Sequence, residues 1–377
     1  MRFLAFTSVL LGVFLDNLLF NVLIPVLPFY AETLQLSHRE LGWLISSYTL
    51  ALLATVFVSG ILTDRFGAAK TFLAGSALLV FAAFLLKISD SYPMMIAARL
   101  LQGVSAGFTW VAGFSYVARH SAPGRAGRNL IILQSGMGVA EFIGPVIGGF
   151  LYQWGGAALL FKALLAFALL NLVLRLVIGI GGDAPAEESS RIDLSPLRDR
   201  KILRLALIYL CGGFLLSVGD PLLPVFLKHQ FAFREGAVSM AFLVITTAYY
   251  VLALPLTARY RGNLVIYSGV ALSCVAFAAT FIAHHNVVLL FSVLAVFGFA
   301  TGLFVIPVVA RVADAVAESK SESYGVAFSS GQWAYTLGMF IGPVASTHLA
   351  EHFSYFHSAL VLAALPILLL LFLRRIG

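Results

Sequence analysis

Three acids and one arginine stand where an apolar chain tolerates charge least. Asp16 falls in "VFLDNLLFNVL", Glu141 in "GVAEFIGPV", Asp220 in "SVGDPLLPV" and Arg99 in "IAARLLQGV". Each lies within a run long enough to cross a bilayer, where a charge costs about 2.5–3.5 kcal/mol on insertion scales. Residues retained at that cost have a function or a partner. A carboxyl group there answers two opposed demands. Apolar surroundings favour its neutral form, and a bound cation favours its charged form. Exchange of a proton for a cationic molecule requires that opposition, so the chemistry indicated is reversible protonation rather than bond making.

Polar and aromatic neighbours extend the set. Asn17 and Asn21 accompany Asp16 on one helix, and Gln102 shares a helix face with Arg99 one turn away. Arg99 is always charged and needs an acidic or carbonyl partner. Glu141 reads either as a coupling site or as that partner. Pro221 disturbs the backbone next to Asp220. Asn17, Asn21, Tyr48, Gln102, Trp110, Tyr249, Tyr250, Gln332, Trp333 and Tyr335 are expected to line a substrate cavity, where aromatic faces hold organic cations. Lys162 and Asp314 lie near helix ends and His284 and His285 in a loop; none is given a site role. Cys211 and Cys274 fall in apolar helices without metal-ligand spacing, so no metal and no cofactor is expected. Neither G-x-x-x-x-G-K nor H-E-x-x-H occurs. An enzyme and an ATP-driven pump are therefore not expected.

The elements that must position these residues are membrane helices. The chain is 60% hydrophobic and 11% charged, with mean hydropathy +0.97, against about 25% charged in soluble domains. About 20 apolar residues span a bilayer. Twelve such stretches are predicted, at roughly 3–31, 40–62, 68–89, 93–119, 125–152, 157–181, 201–229, 235–258, 262–284, 287–313, 322–350 and 353–375. The polar break "GGDAPAEESSRIDLSPLRDRK" at 181–201 divides an N-terminal bundle, 1–181, from a C-terminal bundle, 201–377, with 182–200 as a cytoplasmic linker. With both termini cytoplasmic, 18 of the 24 basic residues, among them Arg65, Lys70, Arg119 and Arg175, fall on the inner side. The net charge of +7 then reports topology and not nucleic-acid binding. A monomer in a bacterial cytoplasmic (inner) membrane is the expected setting.

The halves repeat each other. FIGPV occurs at 142–146 and again at 340–344, an offset of 198 residues. A Pro-x-x-Pro step follows Asp16 as "IPVLP" and Asp220 as "PLLP", and "LTDRFG" at 62–67 returns as "LTARYRG" at 256–262. Two halves in a parallel repeat form the layout of one transporter class, with substrate held between them near the midplane. Gly144-Pro145 and Gly342-Pro343 are predicted helix bends, since proline removes a backbone hydrogen bond and glycine permits close helix contact.

These motifs together resemble the major facilitator superfamily over essentially the whole chain. "GILTDRFGAAK" at 60–70 is similar to the loop between helices 2 and 3, with Gly60, Asp64, Arg65 and Gly67 in place but Ala68 and Ala69 where basic residues are usual. "RLLQGVSAG" at 99–107 resembles the helix 4 motif with its buried arginine, and "GMGVAEFIGPVIGG" at 136–149 the antiporter motif of helix 5. "IPVLP" at 24–28 resembles the helix 1 motif of twelve-helix drug/proton antiporters. The resemblance implies alternating access driven by the proton gradient, with Arg99 in proton coupling and the 60–67 loop as a conformational latch between the halves. A narrower likeness joins the vesicular amine transporters, whose cavity acids match Asp16 and Asp220. Tyr48 stands where monoamine carriers have lysine, and Val305 and Gln332 where they have acids. The expected activity is export of a small amphiphilic or cationic molecule against protons. An uptake symporter, a metabolite or lipid carrier, and a non-transporting sensor are the other readings of the same fold.

Overall fold

A computed structural model describes residues 3–121, 125–178, 200–260, 262–282, 286–318 and 324–376. The predicted linker at 182–200 lies almost wholly outside them, as do His284 and His285. The described chain is helical throughout: α1 (Phe3–Leu23), α2 (Leu27–Thr33), α3 (His38–Phe66), α4 (Ala68–Ile88), α5 (Tyr92–His120), α6 (Ala126–Ile178), α7 (Arg200–Phe231), α8 (Glu235–Thr247), α9 (Leu254–Arg259), α10 (Asn263–Thr280), α11 (Val287–Glu318), α12 (Tyr324–His352) and α13 (Tyr355–Ile376).

These helices make the twelve spans of an all-α membrane protein built as two six-helix bundles. The short α2 completes the first span after Pro25. The 50-residue stretch Arg128–Val177 of α6 would reach about 75 Å at 1.5 Å per residue, more than two hydrocarbon cores. It is two spans, broken where Gly155 and Gly156 leave helical geometry. At Gly156 φ is +61°, which glycine alone adopts without strain. α8 and α9 form one span through a π-helical turn at Ala248–Ala253. Pro255 accounts for that turn, because it lacks the N–H that an α-helix would direct to the carbonyl of Val251.

The chain groups into two compact units. The first comprises Met1–Leu36 and Ser47–Ser189, the second Ser37–Ser46 and Ser190–Gly377. In the first, α1 packs against α6, and α4 against α5 and α6. Val9, Val13, Phe72, Ala112, Val117, Leu133 and Met137 are buried where these helices meet. In the second, α7 packs along α12, and α10 along α11. Large apolar side chains such as Phe57, Ile61, Val177, Leu264 and Val288 remain exposed, which suits contact with lipid rather than water.

The repeated FIGPV does the same job in both units. A Cβ on Gly144 would come within 2.6 Å of Asn21 Cβ on α1, and one on Gly342 within 2.2 Å of Ser217 Oγ on α7. Gly148 extends the first contact, since its Cβ would sit 1.9 Å from the Val22 carbonyl oxygen. Glycine here lets two backbones touch. The predicted bends take a milder form than a break: both helices continue through Pro145 and Pro343.

Arg175, counted in the sequence among the inner-side charges, is only 4% exposed. Its guanidinium donates to the Ser8 hydroxyl at 2.9 Å and to the Ser8 carbonyl, and lies 4.1 Å over the Phe72 ring. Gly12 opens the space, as any Cβ there would meet the guanidinium. A positive charge near a helix end is buried when a neighbouring helix supplies oxygen acceptors and an aromatic face.

Candidate functional site

Asp16 is buried in the first unit, 2% exposed. Trp110 Nε1 on α5 donates to Asp16 Oδ2 at 2.9 Å. The Ser105 hydroxyl, one turn earlier on α5, is 3.4 Å from Asp16 Oδ1 and 2.8 Å from the Gly75 carbonyl of α4. A hydroxyl has one proton to give and lone pairs to accept with. When Ser105 donates to Gly75, its oxygen remains able to accept from a protonated Asp16; when Asp16 is ionised, Ser105 and Trp110 can both donate to it. The Thr109 hydroxyl is a further partner, so the same neutral groups serve either form of the acid, and no cationic side chain is among its partners in the described residues.

The following residues of α1 continue the polar strip. Asn17 Nδ2 donates to the Met137 carbonyl of α6 at 3.1 Å. Asn21 Nδ2 reaches the Asn17 carbonyl and Asn17 Oδ1, each at 2.9 Å. Both asparagines are buried, so Asn17 fastens α1 to α6 while Asn21 sits against the Gly144 contact.

Arg99 on α5 is wholly buried. Nη1 donates to Gln102 Oε1 at 2.7 Å, the one-turn pairing anticipated from their spacing. Its guanidinium carbon lies 5.4 Å from the Phe20 ring centre and 5.0 Å from that of Tyr48. Those rings stack on each other at 4.2 Å. Two aromatic faces thus shelter the cation. Tyr48, expected at a cavity wall, is 1% exposed and forms part of this shelter. Its hydroxyl, however, has no hydrogen-bond partner among the described residues. Glu141 on α6 is half-buried.

Among the described residues, the second unit buries one charged side chain where the first buries three, Asp16, Arg99 and Arg175. Asp220 is 8% exposed on α7, between Gly219 and Pro221. Pro224 cannot donate to the Asp220 carbonyl, and Pro145 stands in the same relation to Glu141. Tyr335 on α12 stacks on Tyr209 of α7 at 4.6 Å. Tyr249 and Tyr250 meet edge to face at 4.7 Å within the π-helical turn, and Gly302 admits the Tyr249 backbone. Gln332 is half-buried and Trp333 exposed.

At the end of α3, Asp64 forms an ion pair with Arg119 of α5, within the first unit. The sequence showed Arg119 only as an inner-side charge and not as the partner of Asp64. Gly67 starts α4 with φ +90°, a glycine position, whereas a side chain at Gly60 would meet open space. Sequence spacing missed Ser105, because a lone serine in an apolar helix carries no distinguishing pattern.

Comparison with known proteins follows the same lines. The family model described as Major Facilitator Superfamily matches residues 9–334 and 205–376. An MFS-type transporter, ppzB, of Metarhizium rileyi is 32% identical over 51% of this chain and 41% of its own length. The chromaffin granule amine transporter of Rattus norvegicus is 27% identical over 83% of this chain and 61% of its own. The chain thus spans less than two-thirds of the length of either relative. Among solved structures, a bacterial homologue of the human lysosomal transporter Spinster, inward-facing and unoccupied, superposes with TM-score 0.78 over 99% of this chain and 96% of that one. At 12% identity this likeness concerns the fold.

Proposed function

The chain belongs to the major facilitator superfamily of membrane transporters, and on that premise we propose that it is a proton-coupled antiporter exporting small amphiphilic or cationic molecules. Asp16 carries the reading. It is a buried carboxyl group whose partners among the described residues are the neutral Trp110, Ser105 and Thr109, so its charge is balanced by a proton or by a cation that arrives with the substrate. Trp110 and Ser105 hold the group in place in either state, which lets it change partner without rearrangement of its surroundings.

Alternating access makes this exchange productive. A proton bound from one side favours substrate release, and substrate bound from the other side expels the proton. The two affinities are linked by one coupling free energy. Arg99, held beside the stacked Phe20 and Tyr48 rings, sets the local field, while Glu141 and Asp220 are the further proton carriers. Tyr249, Tyr250, Gln332, Trp333 and Tyr335 supply the substrate surface of the second unit. Asp64 and Arg65 act at a conformational latch, with both termini at the cytoplasmic face of a bacterial inner membrane and the monomer as the working unit. The similarity to an amine transporter supports a cationic substrate. No cofactor is needed, as the proton gradient is the energy source.

Purified protein in proteoliposomes tests the proposal. An imposed pH gradient should drive accumulation of lipophilic amines, and addition of an amine should move protons the opposite way. Amine flux that ignores the gradient would favour a uniporter; accumulation in the same direction as protons would favour an uptake symporter.

A further inference from the structure

A second cluster of ligating side chains lies at the last turns of α12. His348, Glu351 and His352 stand at i, i+3 and i+4, so they leave one face of one helix. One ligand atom from each lies within 4.8 Å of the other two. All three side chains are exposed, and the two imidazole rings meet nearly perpendicular at 5.2 Å. The carboxylate is already oriented: Glu351 Oε1 accepts the backbone N–H of Arg39 at 3.0 Å, in the first turn of α3. That N–H is among those that a helix start leaves without an intrahelical acceptor. The positive end of the helix dipole also favours a carboxylate there.

We propose that His348, Glu351 and His352 bind a divalent transition-metal ion of the zinc or copper class. Two imidazoles and one carboxylate are the donors that suit such ions; calcium and magnesium take oxygen ligands instead. Metal–ligand distances of 2.0–2.1 Å place tetrahedral ligand atoms roughly 3.4 Å apart. Exposed side chains on one helix face reach that spacing by rotating about their own bonds. Three protein ligands leave one position for water, so the site is open and exchangeable. Glu351 can coordinate through one oxygen while the other keeps Arg39. The ion thereby fixes a second carboxylate at the start of α3, beside the Ser37–Glu40 cap, and couples the Arg39 amide to metal binding. The sequence expectation of no metal site rested on the cysteines; the ligands are histidines spaced one helical turn apart.

Calorimetric titration with zinc chloride tests the site. The full chain is purified without a polyhistidine tag, stripped with chelator and titrated in detergent. One zinc ion per chain is expected. H348A/H352A should weaken binding by more than about tenfold and E351Q by about tenfold, whereas H357A, outside the cluster, should titrate as the parent does. Absence of zinc binding by the parent, or unchanged binding by H348A/H352A, overturns the site. Hydrogen exchange gives an independent readout: zinc should slow exchange of the amides at residues 39–41 in the parent but not in E351Q. Equal exchange with and without zinc in the parent overturns the role assigned to Glu351.

Discussion

The two units share a backbone plan and divide the chemistry unequally. FIGPV brings α6 against α1 in the first and α12 against α7 in the second, through Gly144 and Gly342. Beyond that contact the units part. The first buries Asp16, Asn17, Asn21, Arg99 and Gln102. The second places Asp220 in a proline-rich turn of α7 and presents tyrosines around a π-helical segment. Duplication thus preserved close backbone packing, which any pair of helices needs. It did not preserve charge, which in an apolar interior survives only where a task or a partner retains it.

The largest effect should separate the two acids. D16N is expected to lower gradient-driven transport at least tenfold, equivalent to about 1.4 kcal/mol, and to abolish the dependence of substrate affinity on pH. D220N should keep part of both. E141Q should lose coupled transport while substrate affinity stays nearer that of the parent. Parallel measurement of substrate affinity against pH and of flux in proteoliposomes decides the matter; equal losses in D16N and D220N would make the halves functional equals.

The packing half of the comparison predicts a smaller and more even result. G144A and G342A should each reduce thermal stability by about 1–3 kcal/mol, the usual range for overpacking. G144A should cost more, because its new methyl meets the fixed Cβ of Asn21, whereas Ser217 Oγ can rotate away. Melting curves in one detergent test the pair. No loss in either variant would remove close contact as the reason for the repeated glycine.

Loops distinguish the halves more weakly. Asp64 has Arg119 for a partner, and the equivalent position in the second unit is Ala258. D64N should slow transport at equal expression yet shift stability by less than about 1 kcal/mol, as expected for an exposed ion pair. Transport rates equal to the parent would take Asp64 out of the mechanism. The smallest stability change is expected for Y48F, which removes a buried hydroxyl that has no partner in the described structure; its melting temperature should hold or rise. A clear fall would mean that the phenol has an unrecorded partner in solution.

Much was legible without coordinates. The internal repeat was visible as shared letters, and apolar runs of spanning length and isolated ionisable residues followed from a single constraint: lipid satisfies neither charges nor backbone hydrogen bonds. That constraint acts residue by residue, so composition and spacing reveal it. Local pairing was legible for the same reason in Arg99 and Gln102, which are neighbours along one helix.

Partners from different helices were decided only by the tertiary fold. Trp110 is 94 residues from the Asp16 it holds, and Met137 is 120 from Asn17. The enclosure of Arg175 by Ser8, Gly12 and Phe72 could not be read from its place among the inner-side charges. The π-helical turn before Pro255 needed the backbone path, since proline alone allows a kink, a break or a bulge. A sequence specifies which residues cannot face lipid unaided. Which oxygen, ring or amide stands opposite each one depends on how the helices cross, and that is settled by packing many small contacts at once.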